Sequence, residues 1–267
     1  MQKVIQKKRP EKVCSVAVIG KGRVGGSLAK RLSDGVPGYR LHSFLRARSA
    51  DFRKLSGERG PDVILLAIRD GSIAQTAKLA VSAAGPNLRL IVHTAGSLPS
   101  SILPKRKGLL RLTLHPIQTF PNVDPKLLGH ISYMAASTDR AAIAWAKTFT
   151  KALGSNDLLI LSDELLPLYH AMLVFAGNFT TLLGGVVEDL SEQLGISRTR
   201  IKKAIAPLML NSLQNVLQHS AKQVLTGPIA RKDLATIRRH QKALSAISPE
   251  IRKLYDAFVK FGLHEKD

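Results

Sequence analysis

The stretch VCSVAVIGKGRVGG at residues 13–26 decides the fold of the first half of the chain. Its opening part is an apolar run, which is typical of a β-strand buried on both faces of a sheet. Gly20, Gly22 and Gly25 follow directly in a G-x-G-x-x-G spacing, and a helical pattern then continues through Leu32. A strand, a glycine turn and a helix in this order predict a phosphate site, because the free N–H groups of a helix N-terminus favour anions.

Each of the three glycines has a separate physical reason. Gly20 permits the tight turn, Gly22 lets the backbone approach a pyrophosphate, and Gly25 allows the helix to pack closely on the strand. Arg23 and Val24 lie between them in the same turn and are predicted to contact the nucleotide as well. A chance glycine turn is the alternative, but a bare glycine pattern seldom stands between a buried strand and a helix.

The rest of the first half alternates short apolar runs with helical patterns. Further strands are predicted at residues 39–44, 63–68, 88–93, 110–114, 131–136 and 158–161, with helices after the third strand, through Val81, and at 141–153. This alternation indicates a doubly wound, mostly parallel sheet of the Rossmann type.

After Asp163 the strand-like runs stop and long helical patterns begin. We therefore predict a Rossmann domain at residues 1–163 and an all-α domain at residues 164–267. In the second domain a helix is predicted at 164–194, Ser197 is a predicted N-cap, and Pro207 is expected to kink or restart its helix. Residues 225–229 are predicted as a loop, Asp233 as a cap, and Pro249 as the first residue of the last helix.

The end of the second strand bears on the choice of cofactor. An NAD enzyme usually carries a carboxylate there for the ribose hydroxyl, whereas this strand runs into Arg46 and Arg48. Two arginines suit a 2′-phosphate, so NADP(H) is the predicted cofactor, although two surface arginines in a basic protein are the alternative. Loops after later strands are expected to line the same crevice by topology; they carry Ala67, Ile68, Arg69 and Thr94.

The net charge, the single cysteine and one long apolar segment bear on the partners and location of the protein. Forty Lys and Arg against nineteen Asp and Glu give a net charge of +21, yet these residues are spread along the chain, so nucleic-acid binding is not expected. Cys14 is the single cysteine, which fits a cytoplasmic protein, and the charged N-terminus lacks the apolar segment of a secretory signal. Residues 165–187 are long and apolar enough to span a bilayer, but their polar members favour a helix buried in protein over membrane insertion.

The chain resembles the Rossmann-like oxidoreductases whose C-terminal half is known as domain of unknown function 2520. The resemblance rests on GKGRVGGSLA, IVHTAGSLP, LHPIQTF, YHAMLVFAGNF and LTGPIARKDLATIRRHQKAL, between about Val13 and Tyr255. The last of these segments is the most specific, because no general Rossmann argument predicts it. Ala95 stands where the family often has serine, and Lys232 where it often has glycine.

This resemblance implies a relative of ketopantoate reductase, pyrroline-carboxylate reductase and prephenate dehydrogenase-type enzymes. These proteins join a Rossmann domain to a helical domain that commonly builds a dimer, so a homodimer is expected. Some members of the family look like ketopantoate reductases, while the substrate of the family is otherwise poorly defined.

Candidate catalytic residues lie at the crevice and on the long helix. His115 ends a strand, and His170 and Asn178 lie about two turns apart on nearly the same helical face. A histidine suits proton transfer near neutral pH, and an asparagine suits holding a carbonyl oxygen, but a histidine on an apolar helix is often a core residue. No catalytic metal is expected, because the histidines lack ligand spacing.

Residues that would bind the substrate are predicted in two other places. Arg231, beside the turn that begins at Thr226, suits a bidentate clamp on a carboxylate, and a contact between domains or subunits is the alternative reading. Gln118, in the segment that follows His115, is the third candidate. The sequence thus favours an NADPH-dependent reductase of a small oxo acid, with ketopantoate the leading candidate; an NADP(H) sensor without turnover is the alternative.

Overall fold

The computed structural model describes residues 13–264 and divides into two compact units, the second of which begins at Asn178. Residues 1–12, in which the sequence predicts no secretory signal, lie outside the described part. The division falls later than the sequence prediction placed it, because the helix after Asp163 packs on the first unit. There Leu166 and Tyr169 are buried against Met134 and Ala136.

The first unit is built on one sheet of seven strands, in the order β2-β1-β3-β4-β5-β6-β7. The strands are β1 (Cys14–Ile19), β2 (Tyr39–Leu45), β3 (Val63–Leu66), β4 (Leu90–His93), β5 (Leu110–Pro116), β6 (Tyr133–Ala136) and β7 (Leu158–Ile160). Every neighbouring pair is parallel except β5 with β6. The predicted doubly wound, mostly parallel sheet is therefore confirmed.

Helices cover both faces of this sheet. The first unit contains α1 (Arg23–Asp34), α2 (Ile73–Ala83), α3 (Arg140–Leu153) and α4 (Leu166–Leu173). Alternate residues of each strand enter opposite cores: Val16 and Val18 face a cluster with α1 and α3, whereas Ala17 and Ile19 face a cluster with α2. This alternation buries each central strand on both faces, which explains its apolar sequence.

The long apolar helix is interrupted in its hydrogen-bond pattern. Between α4 and α5 (Thr180–Gln193) the residues Val174–Phe179 form a π-helical segment. Such segments are frequent at functional sites. An 18-residue stretch within the span Asp163–Gln193 has a mean hydropathy of 1.4, so the span is also long and apolar enough to cross a membrane by length and composition alone.

The second unit is all helical, as predicted. After α5 come α6 (Arg198–Gln218), α7 (Ala221–Val224), α8 (Gly227–Ala230), α9 (Leu234–Ile247) and α10 (Pro249–His264). The predicted caps form: Ser197 accepts from the backbone N–H of Arg200, and Asp233 accepts from that of Thr236.

Three details of the second unit differ from the sequence prediction. Helix α6 runs through Pro207 as one helix, so the proline does not restart it. The sequence places Gly262 just past the end of the last helix, whereas α10 continues to His264. The segment predicted as a loop contains the helical turn α8, because Pro228 is well placed in the first turn of a helix. Lys232, where the family often has glycine, has a φ of 54°, a backbone conformation that favours glycine.

Candidate functional site

A cavity of about 690 Å³ lies where the carboxyl ends of β1, β2, β3 and β4 meet. In a doubly wound sheet this edge is where ligands bind. Its lining comes from the glycine loop and from the segments after β2, β3, β4 and β5: Gly20, Lys21, Gly22, Arg23, Val24, Arg46, Ala47, Ala67, Ile68, Arg69, Ser72, Thr94, Gln118 and Phe120.

Two glycines of the loop are required by close backbone contacts. Gly20 has a φ of +121°, and a Cβ there would collide with the carbonyl oxygen of Ala67. A Cβ on Gly25 would collide in turn with the carbonyl oxygen of Gly20. Gly22 differs, since a Cβ there meets no heavy atom within 4 Å. The fold of the protein without a ligand therefore does not require glycine at position 22, and this position faces open space.

The N-terminus of α1 is suited to an anion. Gly22 is the N-cap residue and makes no side-chain capping hydrogen bond, and the first turn of the helix has no acidic residue. The cavity is lined by four cationic side chains, those of Lys21, Arg23, Arg46 and Arg69. Together the open backbone N–H groups and these cations create a positive site for phosphates.

Only one of the two arginines predicted to bind the 2′-phosphate at the end of β2 lines the cavity. Arg46 lines the cavity, whereas Arg48 is not among the described residues that line it. The backbone N–H of Arg46 donates to the Asp51 carboxylate at 3.2 Å, which fixes the turn after the strand. Lys21 lies over the ring of Phe44, with its Nζ 5.2 Å from the ring centroid, so a second cation stands at this end of β2.

The segment after β5 folds over the start of α1. The Arg23 guanidinium donates to the carbonyl oxygen of Phe120 at 3.4 Å, and the backbone N–H of Asp124 donates to the Ser27 hydroxyl at 2.9 Å. These contacts bring Gln118 and Phe120 to the cavity wall. Thr94 reaches it from the end of β4, where its backbone N–H donates to the carbonyl oxygen of Leu66.

A cluster of aromatic and imidazole rings lies beyond Thr94. The His115 Nδ1 and the Tyr169 hydroxyl are 2.9 Å apart, and the His115 and His170 rings lie with centroids 6.0 Å apart. Both imidazoles pack against Gly96, where a Cβ would approach each ring to about 3 Å. The structure thus brings together the two histidines that the sequence offered as alternative proton donors.

Burial changes the charge state of this cluster. It lowers the pKa of His115 to about 4, with a smaller contribution from His170 in the same direction and an opposing one from Asp70. Burial also raises the pKa of Tyr169 above its ordinary value. His115 is therefore neutral at physiological pH, so it is not an imidazolium acid in the free protein.

His93 has a structural role, because its contacts hold the loop after β4 in place. Its side chain is fully buried, and its Nε2 contacts the carbonyl oxygen of Pro99 and the hydroxyl of Thr113. Burial lowers its pKa, so it too is neutral. These contacts fix the loop that carries Thr94 to the cavity and Gly96 to the two imidazole rings.

The remaining predicted residues belong to the second unit. Asn178 lies in the π-helical segment, Thr226 is the N-cap residue of α8, and Arg231 follows that helix. Their assigned roles remain predictions. The residues that the sequence did not single out are Lys21, Ala47, Ser72 and Phe120 at the cavity and Tyr169 in the ring cluster.

Comparison with known proteins identifies a family domain in part of the chain and confirms the fold. Residues 132–260 match the family model described as Domain of unknown function (DUF2520). No curated protein matches the chain significantly. A candidate NADP oxidoreductase from Bacteroides fragilis superimposes with a TM-score of 0.76 at 20% identity, covering 96% of this chain and 100% of that one.

Two further solved structures share the architecture. A protein from Thermotoga maritima gives a TM-score of 0.68 at 20% identity, covering 94% of this chain and 98% of its own. Pyrroline carboxylate reductase from Plasmodium falciparum, solved with NADP bound, gives 0.58 at 12% identity over 97% of this chain and 100% of its own. The Rossmann-like fold is thus confirmed, and residues 132–260 of this chain carry the domain of unknown function 2520.

Proposed function

We propose that this protein is an NADP(H)-dependent oxidoreductase. The observation that carries the proposal is the open space at Gly22, beside an uncapped helix N-terminus and within a cavity lined by four cationic side chains. Phosphates need free N–H donors and positive charge, and both are present here. The names of similar structures, among them a candidate NADP oxidoreductase and an NADP-bound reductase, support the same assignment.

The residues at the cavity fit a dinucleotide phosphate. The loop from Gly20 to Gly25 would hold the pyrophosphate, and Arg46 with Lys21 would hold the 2′-phosphate at the end of β2. Ala67, Ile68 and Thr94 would line the remainder of the nucleotide site. When bound, the reduced nicotinamide supplies a hydride, and the protein must orient a substrate and supply a proton.

The proposed substrate is a small oxo acid, with ketopantoate the leading candidate. His170 is proposed to donate the proton to the developing alkoxide, because it lies with His115 beside the Thr94–Gly96 segment. His115 is neutral and so is suited to hydrogen bonding rather than to donating from a cation. Roles for Asn178 in orienting the carbonyl and for Arg231 in binding the carboxylate rest on the sequence.

An NADP(H) sensor without turnover is the second candidate, favoured if the site binds cofactor but lacks a productive acid. A steady-state screen of NADPH oxidation across small oxo acids separates the two functions. Oxidation that depends on one oxo acid supports the reductase. Tight NADPH binding with no turnover on any oxo acid supports the sensor.

Cofactor choice gives a direct mutational prediction. Replacing Arg46 and Arg48 together with alanine is expected to weaken NADPH binding far more than NADH binding, since only NADPH carries the 2′-phosphate. Losing a charge-assisted hydrogen bond costs about 1–3 kcal/mol, or roughly 5- to 150-fold in affinity. Because Arg46 lines the cavity and Arg48 does not, the single variant Arg46→Ala should account for most of the loss.

A charge-matched control is available on the same part of the fold. Arg40 and Arg53 are exposed and are not among the residues that line the cavity. The double variant Arg40→Ala and Arg53→Ala should bind NADPH as the unmodified protein does. Equal losses of NADPH affinity in the two double variants would show a general charge effect and refute the assignment.

We also propose that the chain forms a homodimer through its second unit. Helix α6 buries no residue in the single chain, and Leu210, Leu213 and Leu217 repeat at helical spacing while exposing 59%, 41% and 83% of their surfaces. An apolar stripe of this size on a monomer is unusual and marks an interface. A second copy offers the same apolar stripe, which suits a symmetric contact.

Light scattering on the purified protein at micromolar concentration is expected to give a dimer mass. The double variant Leu213→Glu and Leu217→Glu should shift it to the monomer, because charges would be buried without partners. Leu79→Glu, at an exposed position on α2, is the matched control and should remain dimeric. A monomeric mass for the unmodified protein, or protein recovered only with lipid or detergent, would count against the dimer.

A further inference from the structure

The hydrogen bond between Tyr169 and His115 carries an inference about how the site works. We propose that Tyr169 is a positioning residue that holds His115 in the Nε2–H tautomer, and that His115 thereby serves as a neutral hydrogen-bond donor to the substrate. The tautomer follows from the free protein alone, whereas the donation to a substrate rests on the proposed function.

The direction of the hydrogen bond follows from the buried hydroxyl. Tyr169 is 6% exposed, and the His115 Nδ1, at 2.9 Å, is its only hydrogen-bond partner among residues 13–264. If Nδ1–H donated to the hydroxyl, the hydroxyl proton would be buried without an acceptor, which is unfavourable. The tyrosine therefore donates to a bare Nδ1, and the proton of the neutral ring lies on Nε2.

Packing holds the His115 and Tyr169 rings in this relative arrangement. His115 lies on β5 and pairs with Met134 of β6, while Tyr169 packs in the cluster that includes Met134. The two rings meet edge to face, with centroids 5.8 Å apart and planes at 86°. On its other side the imidazole rests on Gly96, whose missing Cβ leaves room for the ring.

The surrounding charges favour the neutral pair. Burial lowers the pKa of His115 most; of the ionisable groups that act on it, His170 lowers that pKa further and Asp70 opposes the change. Tyr169 stays protonated because burial raises its pKa. A neutral imidazole beside a neutral phenol is thus the stable state over the physiological pH range.

The free ring nitrogen is open to a ligand. The His115 Nε2 makes no hydrogen bond within the described residues, and it is not among their buried atoms without a partner. It is therefore reached by solvent, and its N–H is available to a carbonyl oxygen that gains negative charge. This role would leave proton transfer to His170 and give the two histidines different tasks.

Nuclear magnetic resonance on the full chain tests the tautomer without cofactor or substrate. Protein labelled with ¹⁵N-histidine gives long-range ¹H–¹⁵N correlations that distinguish protonated from bare ring nitrogens, with His115→Gln identifying the signals. The unmodified protein is expected to show His115 with a bare Nδ1 and a protonated Nε2 near neutral pH. In Tyr169→Phe the donor is lost, so a mixture of tautomers is expected.

Tyr133→Phe is the matched control, because it removes another buried hydroxyl, one that donates to the Leu128 carbonyl oxygen. It should leave the His115 signals unchanged. An Nδ1–H tautomer in the unmodified protein, or an unchanged tautomer in folded Tyr169→Phe, would overturn the proposal. Failure of the oxo-acid screen with the Nε2–H tautomer intact would refute the proposed function and the substrate contact, while the positioning by Tyr169 would stand.

Discussion

His170→Gln is expected to lower turnover of the oxo acid by about 10²–10⁴-fold while leaving NADPH affinity nearly unchanged. The imidazole packs beside His115 and against Gly96, two residues beyond the cavity-lining Thr94, so it is placed for proton transfer rather than for holding phosphates. Glutamine keeps the size and polarity of the side chain but removes the acid. Steady-state kinetics and NADPH titration of the same variant measure both quantities.

His130→Gln, on an exposed side chain, serves as the control and should retain full turnover. His115→Gln is the competing test; its amide can still donate a hydrogen bond but cannot transfer a proton, so a large loss of turnover here would assign the proton to His115 instead. Full activity in both His170→Gln and His115→Gln would contradict a histidine donor and leave water or a threonine such as Thr94 or Thr119 as the proton source. A loss of NADPH binding in His170→Gln would instead show that this residue shapes the cofactor site.

Gly22→Ala is expected to leave the fold intact and to reduce NADPH affinity by roughly ten- to a hundredfold. In the free protein a Cβ at this position touches nothing within 4 Å, so thermal stability should change little. If a pyrophosphate lies against the loop, the same Cβ occupies its space and lengthens the hydrogen bonds from the helix N-terminus. Losing such bonds to a charged group costs about 1.5–3 kcal/mol, which corresponds to that range of affinity.

Gly184→Ala is the matched substitution, since its Cβ also meets no atom within 4 Å and it lies in α5. It should leave NADPH affinity unchanged and should not lower stability, because alanine favours the helix more than glycine does. Gly25→Ala would not discriminate, because its Cβ collides with the Gly20 carbonyl oxygen and disturbs the fold itself. Unchanged NADPH affinity in Gly22→Ala would place the phosphates elsewhere and contradict the assigned loop.

The sheet was predictable because its central strands are buried on both faces. All seven strands coincide with segments predicted as strands, and the antiparallel pairing of β5 with β6 is compatible with a mostly parallel sheet. The π-helical segment was not predictable, since apolar periodicity does not distinguish it from an α-helix. The helical turn α8 was missed because glycine and proline together resemble a loop, although proline suits a first helical turn.

The glycine loop could be predicted because its chemistry is local in sequence. The ring cluster could not be assembled in the same way, since Tyr169 and His115 are far apart in the chain and meet only through the packing of α4 on the sheet. The neutral state of His115 depends on that burial as well, so the residue type alone does not give it. Likewise, the sequence pattern did not distinguish Arg46 from Arg48 as a ligand of the 2′-phosphate, whereas of the two only Arg46 lines the cavity.

Calorimetric titration of the unmodified protein with NADPH and with NADH tests the central claim most directly. The cationic cavity at the ends of β1, β2 and β3 predicts saturable binding of NADPH with one site per chain. It also predicts weaker binding of NADH by about 5- to 150-fold, the value of a charge-assisted contact to the 2′-phosphate. Equal affinities would contradict the choice of NADP(H), and the absence of binding by either dinucleotide would contradict the cofactor site itself.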